Sequence, residues 1–313
     1  MSSDAGRVLR VALLRRTVSD LGRALDFYCG ALGFARDLAP SNGAASTDPA
    51  ADGAPSRTQR LVLGAETIEL TAPVGFERHP GGDSSGESVS NVAFQHFAVV
   101  TADMDATVAS LRRFSPQAIS RGGPVRLPAM AGGVTAYKFR DPDGHPLELI
   151  SFPDGGGDPK WQRQGARNAA ATLGIDHSAL AVADAEASRN FYVRGLGLEV
   201  LSRQINRGEA QSRLDGSEVV VVDVIGLGPA PAPTPHIELL AYRHPPPQGR
   251  RDASSIREDH GDRLTLIVDE LAATLDRLDR EVTPPTERDH LPGGAVLLRD
   301  PDGHLLLLQP GPA

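Results

Sequence analysis

Apolar residues recur along this chain at two alternating periods, and the alternation is itself repeated. VALLRRTV, from Val11, and HFAVVT, from His96, read as short strands rich in β-branched residues. Each runs into a segment whose apolar positions lie three and four apart, as on one face of a helix. The same strand-then-helix reading applies to HSALAVADAEASRNFY, from His177, and to RLTLIVDELAATLDRLDRE, from Arg263. Ser19, Asp20 and Asp184 stand where a helix needs side-chain oxygens to accept from its first free amides. After each helix come apolar runs broken by Gly, Pro or Asp: QRLVLG then ETIELTA, GVTAYKFR then HPLELISF, EVVVVDVIG then HIELLAY, GAVLLR then HLLLLQP. The pattern predicts an α+β fold of four βαβββ modules, starting near residues 8, 93, 174 and 260.

Two of these phrases are nearly copied about half a chain apart. DLGRALDFYCGALGF (Asp20 to Phe34) matches DAEASRNFYVRGLGL (Asp184 to Leu198), and RDPDGHPLELI (from Arg140) matches RDPDGHLLLLQ (from Arg299). The chain therefore divides into an N-terminal half, 1–152, with modules 8–75 and 93–152, and a C-terminal half, 174–313, with modules 174–243 and 260–310. Residues 153–173 form a linker, in which the lone Trp161 is expected to dock by packing. The Ala/Gly/Pro/Ser-rich stretch from Pro40 to Thr58 reads as a surface loop inserted in the first module.

Composition narrows the function classes. With 313 residues, two domains can each bury a core. A net charge of −8 without basic runs, and 4% aromatic residues, leave neither the electrostatic footprint nor the stacking surfaces of a nucleic-acid binder. The first residues carry no continuous apolar run, and no stretch approaches the roughly 18 apolar residues of a membrane span. The single Cys29 sits in an apolar helical pattern and reads as a buried, inert thiol. These features suit a soluble, cytoplasmic protein with a small-molecule partner.

The helical phrases SDLGRALDFYCGALGF and IDHSALAVADAEASRNFYVRGLGLEV, with both DPDGH turns, resemble the vicinal oxygen chelate superfamily. That group contains glyoxalase I, methylmalonyl-CoA epimerase, extradiol dioxygenases, fosfomycin-resistance enzymes and bleomycin-binding proteins. The resemblance extends from about Val8 to Pro310. It is specific for fold and unspecific for reaction. It implies that modules pair into two cups of mixed β-sheet. In the metal enzymes of this group, the first and last strands of each module supply the ligands.

Carried onto this chain, the first-strand positions are Leu13, His96, His177 and Arg263, and the last-strand positions are Glu69, Glu148, Glu238 and Leu307. If modules pair 1+4 and 2+3, one cup gathers His96, Glu148, His177 and Glu238 while the other is blank. That pairing is the expected one. It explains why one copy of the repeated phrase keeps Glu148 and the other has Leu307. Two imidazoles and two carboxylates suit one divalent ion (Zn, Ni, Co, Mn or Fe) with positions open for a chelating substrate.

The resemblance then implies a metal-dependent, glyoxalase-like enzyme: an isomerase, epimerase or lyase acting on a small oxygenated metabolite through a metal-stabilised enolate, with Glu148 or Glu238 as base. Two alternatives are an extradiol-type dioxygenase using Fe(II) and a metal-free binding protein of the antibiotic-sequestering kind. Arg207, Gln211 and Arg126 are the expected substrate contacts at the rim, beside Asn206, Arg121, Arg203 and Arg213. His145 and His304 recur in both turns and read as structural; His236, two residues before Glu238, has the strand parity to face the same way and reads as structural, with a supporting or substitute-ligand role as the alternative. The chain is expected to act as a monomer or homodimer.

Overall fold

The computed structural model describes residues 6–38, 56–76, 88–165, 171–230, 234–249, 256, 262–282 and 287–311. Residues 40–55 of the Ala/Gly/Pro/Ser-rich insertion lie outside them, and residues 56–58 begin a strand. The first module contains β1 (Val8–Thr17), α1 (Leu21–Leu32), β2 (Ala35–Arg36), β3 (Ser56–Leu63) and β4 (Glu66–Pro73). The second contains β5 (Gln95–Thr101), α2 (Met104–Arg112), β6 (Gln117–Ala118), β7 (Val125–Arg126), β8 (Thr135–Arg140) and β9 (Pro146–Ser151). A linker helix, α3 (Pro159–Gly165), leads to the third: β10 (Thr172–Val182), α4 (Ala185–Arg189), β11 (Glu199–Arg207), α5 (Glu209–Leu214), β12 (Val221–Gly228) and β13 (His236–His244). The fourth contains β14 (Arg263–Val268), α6 (Leu271–Glu281), β15 (Arg288–His290), β16 (Val296–Arg299) and β17 (Leu305–Pro310).

The helices begin where their cap residues dictate. Asp20 accepts from the Arg23 amide, Asp103 from Ala106, and Asp184 from Glu186 and Ala187. Helix α1 ends at Gly33, which takes the left-handed conformation (φ 74°) and returns its amide to the Tyr28 carbonyl. Helix α4 continues as a wider π-helical turn over Asn190–Gly195.

Among the described residues the strands form two sheets. One has the order β15-β16-β17-β14-β1-β4-β3-β2, the other β11-β12-β13-β10-β5-β9-β8-β6, with β7 pairing β8. Modules 1 and 4 thus build one cup and modules 2 and 3 the other. The seams are the antiparallel pairs β1 with β14 and β10 with β5. Each sequence half sends one module to each cup. Apolar faces of both sheets, of α1, α2 and α6 and of the π-helical turn pack into one core, around Phe27, Tyr28, Phe97, Phe139, Phe191 and Tyr192.

The repeated phrases are explained by contacts between modules. Tyr28 Oη donates to Asp141 Oδ2 at 2.8 Å, and its counterpart Tyr192 Oη donates to Asp300 Oδ2 at 2.9 Å. Each helical tyrosine therefore reads the aspartate opening the next module's DPDGH turn. The third residue of each turn does the same for the helix start: Asp143 accepts from Ser19, and Asp302 from the Ala183 amide. His145 bonds to Asp141 in its own turn and His304 to the Ala181 carbonyl, so both have structural roles. Arg16, fully buried, donates to Asp262 and to Tyr28, tying modules 1 and 4 to this network. Its guanidinium is held firmly charged: burial works against the charge, but Asp262, Tyr28 and Asp141 outweigh it.

Candidate metal centre

Strand register places the site residues. In the sheet of modules 2 and 3, Ala98 lies beside Glu148 and Ala179 beside Glu238. In the other sheet, Arg15 lies beside Glu69 and Thr265 beside Leu307. Stepping back two residues along each first strand reaches His96, His177, Leu13 and Arg263, which are therefore equivalent positions. Period-two alternation turns these side chains to the same face as their last-strand neighbours.

The 2+3 cup encloses a cavity of about 640 Å³, within the range of small-molecule sites. His96, Glu148, His177 and Glu238 all line it. One donor atom each from His96, Glu148 and His177 lies within 4.8 Å of the others, so three of the four expected ligands converge. Glu238 stands at the edge of this group, 3.5 Å from His177 Nε2 and 3.6 Å from His236 Nε2. His236 is a wall of the site, its ring centroid 5.3 Å from that of His177. Its place two residues before Glu238 on the same strand was the legible signal.

The electrostatics suit a cation. His96 Nε2 lies 3.1 Å from Glu148 Oε2, yet neither ring nitrogen of His96 has a hydrogen-bond partner. Burial holds this imidazole below the ordinary histidine range, so it is neutral near pH 7. For His177, burial acts downward, but the Glu238, Asp176 and Glu148 carboxylates prevail and raise it to about 9. Glu238 is depressed to about 2: His177 and His236 overcome the upward push of burial. Glu148 is lowered as well, by His96 and Lys138 against burial. A neutral imidazole with orphaned nitrogens, beside ionised carboxylates and a proton held by His177, is a donor set that a divalent ion fits.

Lys138, not anticipated from sequence, also lines the cavity. Lys138, buried on β8 directly across from Glu148, places Nζ 2.7 Å from Asp215 Oδ1 and 3.8 Å from Glu148 Oε2. Asp215 also accepts from Gln211 Nε2 and Tyr242 Oη. Asp215 comes from the loop after α5, so no sequence spacing announced the pairing.

Of the expected rim contacts, Gln211 and Asn206 line the cavity. Arg207 and Arg126 are exposed and lie outside its lining. Alternation is the reason: neighbouring Asn206 and Leu127 take the inward positions. Arg121 donates instead to the Ser217 carbonyl. Leu127, Val134, Ile150, Phe152, Val222, Val224 and Leu240 give the cavity apolar walls.

The 1+4 cup holds a smaller space of about 250 Å³, lined by Arg10, Arg15, Arg60, Glu69, Thr265 and Leu307 among others. Glu69 there is ion-paired to Arg15 and Arg60. No helix of the described residues is long and apolar enough to cross a membrane.

Fold and site together define a fused four-module protein with two β-cups, one of which carries a cluster of histidine and glutamate donors. The chain belongs to the Glyoxalase/Bleomycin resistance protein/Dioxygenase superfamily, whose family model matches residues 10–149 and 174–308. Among solved structures it is similar to glyoxalase I from Zea mays: 18% identity, TM-score 0.62, covering 96% of this chain and 91% of that one. It is also similar to a putative dioxygenase from Bacillus subtilis: 14% identity, TM-score 0.58, covering 99% and 87%. At these identities the likeness is one of fold. Comparison with curated proteins gives no match.

Proposed function

We propose that the protein is a metal-dependent, glyoxalase-like enzyme, an isomerase, epimerase or lyase that moves a proton on a small oxygenated substrate in the 2+3 cup. The observation that carries this reading is the convergence of His96, Glu148 and His177 in a walled cavity with Glu238 at its edge. His96, Glu148 and His177 would hold one divalent ion, of the Zn, Ni, Co, Mn or Fe type. When bound, such an ion polarises a substrate oxygen and stabilises the charge developing on it.

The protein's own groups divide the remaining work. Lys138 keeps Glu148 ionised and in place. Glu238 is the freer carboxylate, its side chain 20% exposed against 8% for Glu148, and is assigned the role of base. Gln211 and Asn206 offer hydrogen bonds to substrate, and the apolar walls exclude water. The two repeats of the sequence span 1–152 and 174–313. Each cup is built within one chain, so a monomer suffices, and a homodimer is compatible with it.

The test is the metal content of protein purified without added metal or chelator, compared with His96→Ala and His177→Ala. About one equivalent per chain, lost in both variants, is expected from three shared ligands. Absence of metal in every sample after reconstitution would overturn the proposal in favour of a metal-free binding protein. Oxygen consumption by an iron-loaded sample would point to the dioxygenase class instead.

A further inference from the structure

We propose that the linker helix α3 belongs to the site: Trp161 is a positioning residue that locks Asp176, and Asp176 in turn fixes the ring of His177. The inference rests on the proposed metal-binding role of His177 and goes beyond it, because it gives the two imidazole ligands unequal support.

Trp161 is buried, and its Nε1–H donates to Asp176 Oδ1 at 2.9 Å. The other oxygen of Asp176 meets His177 Nδ1 at 3.0 Å. With both oxygens engaged the carboxylate is restrained against rotation, and His177 presents Nε2 to the cavity. A carboxylate behind a ligand histidine sets both tautomer and ring angle.

The pseudo-symmetric position lacks this arrangement. The residue before His96 is Gln95, whose Oε1 has no hydrogen-bond partner, and His96 Nδ1 has none either. His96 therefore lacks the hydrogen-bonded carboxylate that His177 has.

The surroundings hold Trp161 in place. Gly174 on β10 leaves the space that the indole fills: an added Cβ would come within 2.8 Å of the ring and 2.3 Å of Glu66 Oε2. Lys160 Nζ sits 4.1 Å from the indole centroid and bonds to Glu66 of the 1+4 sheet at 2.8 Å. The linker helix is thus fastened to one cup and reaches into the other.

Asp176, His177 and His236 also form a compact group of donors that could hold a second ion. The 3.0 Å separation of Asp176 and His177 is that of a hydrogen bond, which favours the supporting role. Stoichiometry separates the two.

Trp161 is the only tryptophan in the chain, so its fluorescence reports on this network. The experiment titrates the full chain with Co²⁺, reading the cobalt absorption spectrum, Trp161 emission in wild type, and affinity by competition with a chelating dye. The samples are wild type, Trp161→Phe, Asp176→Asn and, for the opposite module, Gln95→Leu.

One equivalent in wild type is expected, with a change in Trp161 emission. Asp176→Asn should bind about 10- to 100-fold more weakly and Trp161→Phe several-fold more weakly, both with altered cobalt spectra. Gln95→Leu should bind as wild type. If the Phe variant does not fold, Asp176→Asn alone decides. Wild-type affinity and spectrum in both variants would overturn this inference while leaving the proposed function intact. Two equivalents in wild type, one of them lost in Asp176→Asn, would make Asp176 a ligand and overturn it too. A wild-type protein that binds no cobalt overturns the proposed function, and this inference with it.

Discussion

Arg15 and Glu69 form a buried ion pair at the place where, in the other cup, Ala98 lies beside Glu148. A fixed guanidinium stands by the only glutamate left at a ligand position of the 1+4 cup, and Leu13, Arg263 and Leu307 occupy the remaining positions. A cup built this way has no need of an ion to neutralise its carboxylate.

Arg15→Leu should therefore change stability and not metal content. Glu69 would keep only the half-exposed Arg60, and loss of one partner of a buried pair costs about 3 kcal/mol. Denaturant unfolding of the protein should show that loss, with ion stoichiometry unaltered. A drop in bound metal would mean that the 1+4 cup takes part in binding.

Ion uptake should depend on pH through His177. In the ion-free protein this imidazole titrates at about 9, so below that value an entering ion must displace its proton. Apparent affinity should rise about tenfold per pH unit from 7 towards 9 and then level off. The same raised value means that the ion-free protein gains stability from protonated His177 below the unfolded value of about 6.5, and loses it as pH rises through about 9. Dye-competition titrations at several pH values would show the slope; a flat profile would be inconsistent with His177 as a ligand.

The two glutamates should separate on mutation. Glu148→Gln removes one of three converging donors and is expected to lower bound metal well below one equivalent. Glu238→Gln should retain the ion, because Glu238 lies outside the three-donor group. Metal analysis of the two variants side by side checks this, and equal loss in both would make Glu238 a fourth ligand.

Lys138→Met would leave Asp215 buried with only Gln211 and Tyr242 as donors. A loss of about 3 kcal/mol is expected from an uncompensated buried carboxylate, readable in urea unfolding. An unchanged midpoint would show that the Gln211 and Tyr242 donors alone hold the Asp215 carboxylate.

Gly174→Ala should push the indole of Trp161 off β10, since the new methyl group overlaps both the ring and Glu66. Overpacking of this kind costs about 1–3 kcal/mol. A shift of Trp161 emission together with a lower unfolding midpoint is the expected pair of results.

Much of this architecture was legible in the chain itself. Strand and helix periods, and the repeated FY and DPDGH phrases, announced four modules because each module must bury the same faces in the same order. The candidate donors could be picked out too, since His96 and Glu148, like His177 and Glu238, recur at fixed places on first and last strands, and all four line one cavity. His145 and His304 were correctly read as turn residues from their presence in both copies.

The 1+4 and 2+3 pairing was expected from the residues at the four pairs of first- and last-strand positions, and the strand order bears it out. Tertiary structure alone decided the contacts between side chains. Lys138 meets Asp215 and Trp161 meets Asp176 only after the cup closes, through hydrogen bonds between residues far apart in sequence or on different elements. Arg207 and Arg126 lie outside the cavity lining for the converse reason: charge in a loop is visible in sequence, but the side to which a strand turns it is set by the neighbour that packs inward. The sequence determined the modules and their donors; packing determined which donors share a cavity and which side chains hold them there.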